Sequence, residues 1–188
     1  MRIIAGKMGG VNLHVPFNKG TRPLKDLARE SIFNLIVHSK KISFNLEKSK
    51  VLDLYAGTGS FGLECISRKA GNVTFVEKEY NAIKILEKNI DKLKVENLTE
   101  ILQKDVINFI KKTNKINPKF DLIFCDPPFK ENIEELIKII FNKNFLKRSG
   151  IIVFHRNKKT KDKIPDYLKI IDERIYGISK IIFARFLT

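Results

Sequence analysis

From residue 50 onward, short apolar runs alternate with segments whose apolar residues recur every three or four positions. VLDLY, VTFVE, EILQK, FDLIFCD and GIIVFH read as strands, and FGLECISRK, YNAIKILEKNIDKL, VINFIKK and NIEELIKIIF as amphipathic helices between them. Alternation of this kind predicts an α/β fold, a parallel sheet covered by helices on both faces. The tail breaks the rhythm: after the charged link NKKTKDKIP, the runs YLKIIDERIYG and SKIIFARFL are separated only by a short Gly-containing turn. A parallel crossover needs about a dozen residues or more, so these two strands are predicted to form an antiparallel hairpin.

Ahead of the alternating region, RIIAG and VNLHV flank a Gly-rich turn and predict a hairpin within residues 1–20. TRPLKDLARESIFNLIVHSK then predicts a helix that Pro23 can open, with Leu24, Leu27, Ala28, Ile32, Leu35 and Ile36 forming one apolar stripe. The chain is thereby divided into an N-terminal hairpin and helix appendage, residues 1–45, and an α/β domain, residues 46–188.

Composition narrows the function. A chain of 188 residues, 43% hydrophobic, is long enough to bury a sizeable core, which argues against disorder. The formal net charge of +15 favours a polyanionic partner, because clustered Lys and Arg attract phosphates. Only eight of the 36 basic residues are Arg, and Ile and Asn are abundant, so composition bias competes as a source of that charge. No apolar run approaches the ~20 residues needed to span a bilayer, and MRIIAGKMGG carries no signal-peptide core; a soluble cytoplasmic protein is expected. Cys65 and Cys125 lie far apart with no C-x-x-C, and both are expected in the core, with neither a disulfide nor a metal site.

The chemistry concentrates in two loops. AGTGSFG, residues 56 to 62, follows the first strand and fits G-x-G-x-x-G at Gly57, Gly59 and Gly62, with Glu77 twenty positions after Gly57. Alone, that pattern reads as a dinucleotide site. Asp53 stands just before it, however, where a carboxylate would repel a pyrophosphate and would suit an ammonium or sulfonium group. S-adenosylmethionine fits these residues better than NAD. Glu77, ending its strand, is placed to accept from both ribose hydroxyls, and Asp105 either meets an adenine amino group or caps the helix that VINFI begins, with the Val106 N–H near a ring nitrogen.

The second loop is DPPF, Asp126 to Phe129, directly after the buried strand LIFC. Two consecutive prolines remove two N–H donors and hold the chain rigidly, so with Asp126 they make an acceptor-only pocket suited to an exocyclic amino group. Phe129 offers a face on which an unstacked base can lie. His14, His38 and His155 show no ligand spacing and no nucleophile partner and are read as non-catalytic, although His155 ends a strand at the ligand edge of the sheet.

The loop D53-x-x-x-G57-x-G59 with Glu77 resembles the cofactor site of class I methyltransferases. DPPF resembles the (N/D)-P-P-(F/Y/W) tetrapeptide of enzymes that methylate amino groups of bases. More narrowly, R2-I-I-A-G6-K7, T21-R-P23, R29-E-S-I-F33-N, D53-L-Y-A-G57-T-G59-S-F-G-L-E64, D126-P-P-F129 and Y176-G resemble, in this order, the bacterial RsmD-type family. The family's N-terminal turn usually carries a basic residue where this chain has Gly9 or Gly10.

The resemblance implies a seven-stranded, mostly parallel Rossmann-like sheet with an antiparallel final strand. It implies methylation of the 2-amino group of a guanine in small-subunit (16S) ribosomal RNA; a monomer is expected. The implied catalytic residues are Asp126, Pro127, Pro128 and Phe129. The implied cofactor-binding residues are Asp53, Tyr55, Gly57, Gly59, Ser60, Glu77, Lys78, Asp105 and Val106. Lys7, Arg22 and Tyr176 are the implied RNA contacts, and ribosomal RNA or an assembling subunit is the partner. Adenine-N6 methylation, a non-catalytic RNA-binding or assembly module, and an NAD-dependent oxidoreductase remain the rival readings.

Overall fold

The computed structural model describes residues 1–16, 26–113 and 119–187. Helix α1 spans Asp26–His38, and the alternating region follows as β1 (Lys50–Leu54), α2 (Ser60–Ser67), β2 (Asn72–Glu77), α3 (Tyr80–Leu93), β3 (Thr99–Gln103), α4 (Val106–Lys112), β4 (Phe120–Cys125), α5 (Ile133–Asn142) and β5 (Leu146–Asn157). The hairpin β6 (Leu168–Tyr176) and β7 (Ser179–Phe186) closes the chain. One seven-stranded sheet has the order β3-β2-β1-β4-β5-β7-β6. The first five strands pair in parallel, whereas β7 lies antiparallel between β5 and β6. β5 begins earlier than the GIIVFH pattern suggests: the buried Leu146 pairs with Phe120, and Lys147, Arg148 and Ser149, of which the last two are exposed, continue the strand.

The sheet sorts its alternating residues onto two apolar layers. Val51, Phe124, Val153 and Phe183 face a layer shared with α1 and α2, while Leu52, Ile123, Ile152 and Ile182 face the one built on α4 and α5. Cys65 and Cys125 are buried free thiols, and burial pushes both up in pKa, so they are unreactive packing groups.

The N-terminal segment is held by polar groups as well as by packing. The expected hairpin forms, held by one antiparallel ladder bridge between Arg2 and Asn12 and by the Ile3, Gly10 and Leu13 N–H groups, which donate to the Val11, Ile3 and Met1 carbonyls at 2.9, 2.8 and 3.0 Å. Other backbone donors of the segment turn to α2. The buried Glu64 carboxylate accepts from the Ile4 and Ala5 N–H groups at 2.7 and 3.0 Å, and the Met8 N–H donates to Ser67 Oγ at 3.0 Å. Gly6 (φ +87°) approaches so closely that a Cβ would lie 2.0 Å from the Ser67 carbonyl oxygen. Asn89, fully buried in α3, accepts from the His14 N–H at 2.7 Å and donates to the carbonyls of His14 and Thr58, joining this segment to the loop after β1. Ile3, Ile32, Phe33 and Ile36 complete the same apolar layer as the sheet.

Candidate active site

In an open parallel sheet, ligands bind beyond the carboxyl ends of the strands. Here the pairing of Leu54 with Cys125 brings the ends of β1 and β4 side by side, so the Gly-rich loop and DPPF face each other across one cleft of about 750 Å³. Tyr55 turns the chain out of β1 at φ +59°, an uncommon conformation for a non-glycine residue, and its hydroxyl donates to Glu131 Oε2 at 2.9 Å. Burial first, and then Glu131, raise the phenol's pKa, so it stays protonated as the donor.

Asp53 is buried beneath the loop, where Oδ2 accepts from the Gly62 N–H at 3.0 Å. Its pKa is raised well above the usual carboxylate value, chiefly by burial; the Gly62 bond opposes this, and the charges of Asp126 and Glu77 add to it. A cation in the cleft would relieve that strain. Glu77 is fixed by three backbone donors: Gly57 N–H to Oε2 at 2.8 Å, and the Lys78 and Glu79 N–H groups to Oε1 at 2.8 and 2.9 Å. With Oε1 doubly engaged, Oε2 is the oxygen open to a ligand hydroxyl.

The glycines divide their work. At Gly57 (φ +54°) a Cβ would meet nothing within 4 Å and would project into open space, whereas at Gly59 (φ +80°) it would strike Leu86 Cδ1 at 2.2 Å. Gly57 therefore serves the cleft, and Gly59, which does not line it, serves the packing of α2 on α3. Ser60, Lys78, Asp105 and Val106 line the cleft, and Asp105 also caps α4, its Oδ1 accepting from the Asn108 N–H at 3.0 Å.

Asp126, Pro127, Pro128 and Phe129 line the opposite wall. Behind them the buried Arg156 donates to the carbonyls of Pro128, Phe129 and Glu131 at 3.3, 3.4 and 2.6 Å, and pairs with Asp162 at 2.8 Å. Those carbonyls thus face Arg156, which leaves Asp126 and Pro127 as the acceptors of the expected pocket.

His155, at the ligand edge of the sheet, lines the cleft, and its Nδ1 lies 2.7 Å from Asp126 Oδ1. A lone histidine 29 positions from its partner gives no spacing signal. Lys7 sits in the exposed N-terminal turn, Tyr176 at the β6–β7 turn beside a shallow groove with His38 of α1, and both are away from the cleft. Arg22 lies outside the described residues. Among the described residues, no group of His, Cys, Asp and Glu is arranged to hold a metal, and no helix is long and apolar enough to cross a membrane.

A sheet in this order, with the Gly-rich loop after β1 and the Asp-Pro-Pro-Phe tetrapeptide after β4 lining one cleft, defines a class I methyltransferase. The family model described as "Conserved hypothetical protein 95" matches residues 1–185. The chain is 33% identical over 180 residues to ribosomal RNA small subunit methyltransferase D of Haemophilus influenzae, covering 95% of this chain and 90% of that one. Among solved structures, HI0767 of Haemophilus influenzae, described as a candidate methylase, is similar at TM-score 0.78 and 31% identity, over 100% of this chain and 98% of that one. YhhF of Escherichia coli shares the fold at TM-score 0.84 and 24% identity, over 99% and 97% of the two chains. The chain belongs to the ribosomal RNA small subunit methyltransferase D family.

Proposed function

We propose that this protein methylates the exocyclic 2-amino group of a guanine in small-subunit ribosomal RNA, with S-adenosylmethionine as donor. The observation that carries the reading is the placement of Asp126, an acceptor at the end of β4, in the same cleft as the Gly57 loop and Glu77. The residues present fit the cofactor: open space at Gly57, a hydroxyl acceptor in Glu77 Oε2, and acids at Asp53 and Asp126 that suit a sulfonium. When bound, S-adenosylmethionine supplies an electrophilic methyl group, whose bond to sulfur breaks as the new bond to nitrogen forms, leaving a neutral thioether.

The chain's own residues make the amino group reactive. A guanine amino lone pair is delocalised into the ring; acceptance of its two N–H bonds by Asp126 and the Pro127 carbonyl draws the nitrogen toward tetrahedral geometry. The proton released from nitrogen passes to the Asp126 carboxylate or to water. Phe129 stacks on the extruded base, at a cost of a few kcal/mol that is least where the base is already unpaired. Asp105 and Val106 meet the adenine edge, Tyr55, Ser60 and Lys78 complete the cofactor wall, Lys7 and Tyr176 contact RNA outside the cleft, and Arg22 is a further RNA contact. The enzyme acts as a cytoplasmic monomer.

The test is methyl transfer from labelled S-adenosylmethionine to small-subunit particles lacking the modification, comparing the wild type with Asp126→Ala and identifying the labelled nucleoside. Label in 2-methylguanosine that disappears with Asp126→Ala supports the reading. Label in an adenine overturns the substrate, and cofactor binding without label on any RNA overturns the reaction.

A further inference from the structure

Asp126 is one end of a three-residue network. His155 Nδ1 lies 2.7 Å from its Oδ1, and His155 Nε2 lies 2.9 Å from Ser179 Oγ. Strand register produces this arrangement. Cys125 pairs with Phe154 across the parallel β4–β5 ladder, so the next residues, Asp126 and His155, stand side by side. His155 pairs with Ile181 across the antiparallel β5–β7 ladder, and Ser179, two residues from Ile181, is its diagonal neighbour on the same face. The reversed terminal strand is therefore what delivers the serine. The imidazole side chain is 8% exposed and the Asp126 side chain 22%.

The donor and acceptor chemistry allows one arrangement for a neutral ring. An ionised carboxylate only accepts, so Nδ1 carries the proton; Nε2 is then an acceptor, and the Ser179 hydroxyl is its donor. The geometry points to His155 as a positioning residue for methyl transfer. Held in its Nδ1–H form by Ser179, it occupies Asp126 Oδ1 and leaves Oδ2 as the carboxylate oxygen facing the substrate amino group. Phe129 packs edge-on against the same imidazole, with ring centroids 5.8 Å apart at 76°. One buried side chain thus sets both the acceptor and the stacking platform of the tetrapeptide. This inference rests on the reading of Asp126 as the acceptor of the amino N–H.

The experiment compares wild type, His155→Phe, His155→Asn, Ser179→Ala and the double variant His155→Asn with Ser179→Ala in methyl transfer to the modification-free particles, with thermal melting and cofactor titration of each. His155→Phe should lower kcat on the order of 10- to 100-fold, the range for a hydrogen bond to a charged group, with cofactor affinity within about twofold of wild type. His155→Asn, whose amide N–H₂ reaches the Nδ1 position, should restore kcat to within about threefold of wild type, a rescue that a merely space-filling role would not show. Ser179→Ala should lower kcat several-fold in the wild-type background and change nothing in the His155→Asn background, since a side-chain amide has no tautomer to fix.

A folded His155→Phe with wild-type kcat overturns the inference, as does an Asn variant no better than the Phe one, or a defect confined to KM. If His155→Phe fails to fold, the Ser179→Ala comparison decides, and an equal effect in both backgrounds overturns the inference. Absence of transfer by the wild type itself marks failure of the proposed function rather than of His155 alone.

Discussion

The hydroxyl of Tyr55 donates to Glu131 Oε2 across 2.9 Å, joining the loop after β1 to the loop after β4 although the two residues are 76 positions apart. Each loop carries half of the proposed chemistry, so this bond sets the distance between the halves.

Tyr55→Phe removes that link with little change of volume. The site is half-buried, so we expect a loss of about 1 kcal/mol, roughly fivefold in kcat/KM, with thermal stability nearly unchanged. Steady-state kinetics against both substrates would check it. Unaltered kcat/KM would mean that the loops are held apart by packing alone.

Asp53→Asn should stabilise the empty protein while weakening cofactor binding. Burial raises the Asp53 pKa in the folded state, so the fold binds this proton more tightly than the unfolded chain does. That contribution is full below the unfolded value and is lost as pH rises through the folded one, so at neutral pH this buried carboxyl is a net cost to folding. The variant keeps an acceptor for the Gly62 N–H and carries no charge. Its melting temperature should exceed that of wild type at about pH 7.5, and the gap should shrink as pH falls toward about 4, near the ordinary carboxylate value; a gap independent of pH would contradict the account. Cofactor affinity at neutral pH should fall about tenfold or more with the loss of a partner for the sulfonium.

Alanine at the two loop glycines should separate packing from binding. Gly59→Ala combines a left-handed backbone with a Cβ 2.2 Å from Leu86 Cδ1, so we expect about 2 kcal/mol of destabilisation, a fall of roughly 4–8 °C, with cofactor affinity intact at low temperature. Gly57→Ala meets only open space and should cost about 1 kcal/mol of stability, yet its methyl enters the cleft and should weaken cofactor binding about tenfold or more. Calorimetric titration beside thermal melts tells the two apart, and matching profiles would refute the division of roles.

Asp162→Ala should strand the Arg156 guanidinium, whose side chain is 1% exposed and which holds three carbonyls of the DPPF loop. Removing one partner of a buried pair costs about 3–5 kcal/mol, measurable by urea unfolding. Turnover should fall as well, because the tetrapeptide loses its rear support. A loss below about 1 kcal/mol, the range of exposed pairs, would show that this one is solvated in practice.

What was legible in the chain was what repeats locally. The apolar periods of VTFVE and YNAIKILEKNIDKL fix a strand and a helix within six and fourteen residues, and the structure places β2 and α3 there within one residue. Asp53, Gly57 and Asp126-Pro-Pro-Phe129 were legible because a turn at a strand end needs particular residue types in consecutive positions. The terminal hairpin followed from a connection too short for a crossover.

Tertiary structure decided which of these pieces touch. That His155 stands beside Asp126 depends on β5 pairing with β4 in one register, and that Ser179 reaches the same imidazole depends on β7 inserting, reversed, between β5 and β6. The hold of Arg156 on the tetrapeptide and of Asn89 on His14 likewise spans segments distant in sequence. A lone histidine, serine or asparagine carries no period and no spacing of its own. Its partner is fixed only when strand register and layer packing bring the two within hydrogen-bonding distance, and that is a property of the folded sheet rather than of any local stretch.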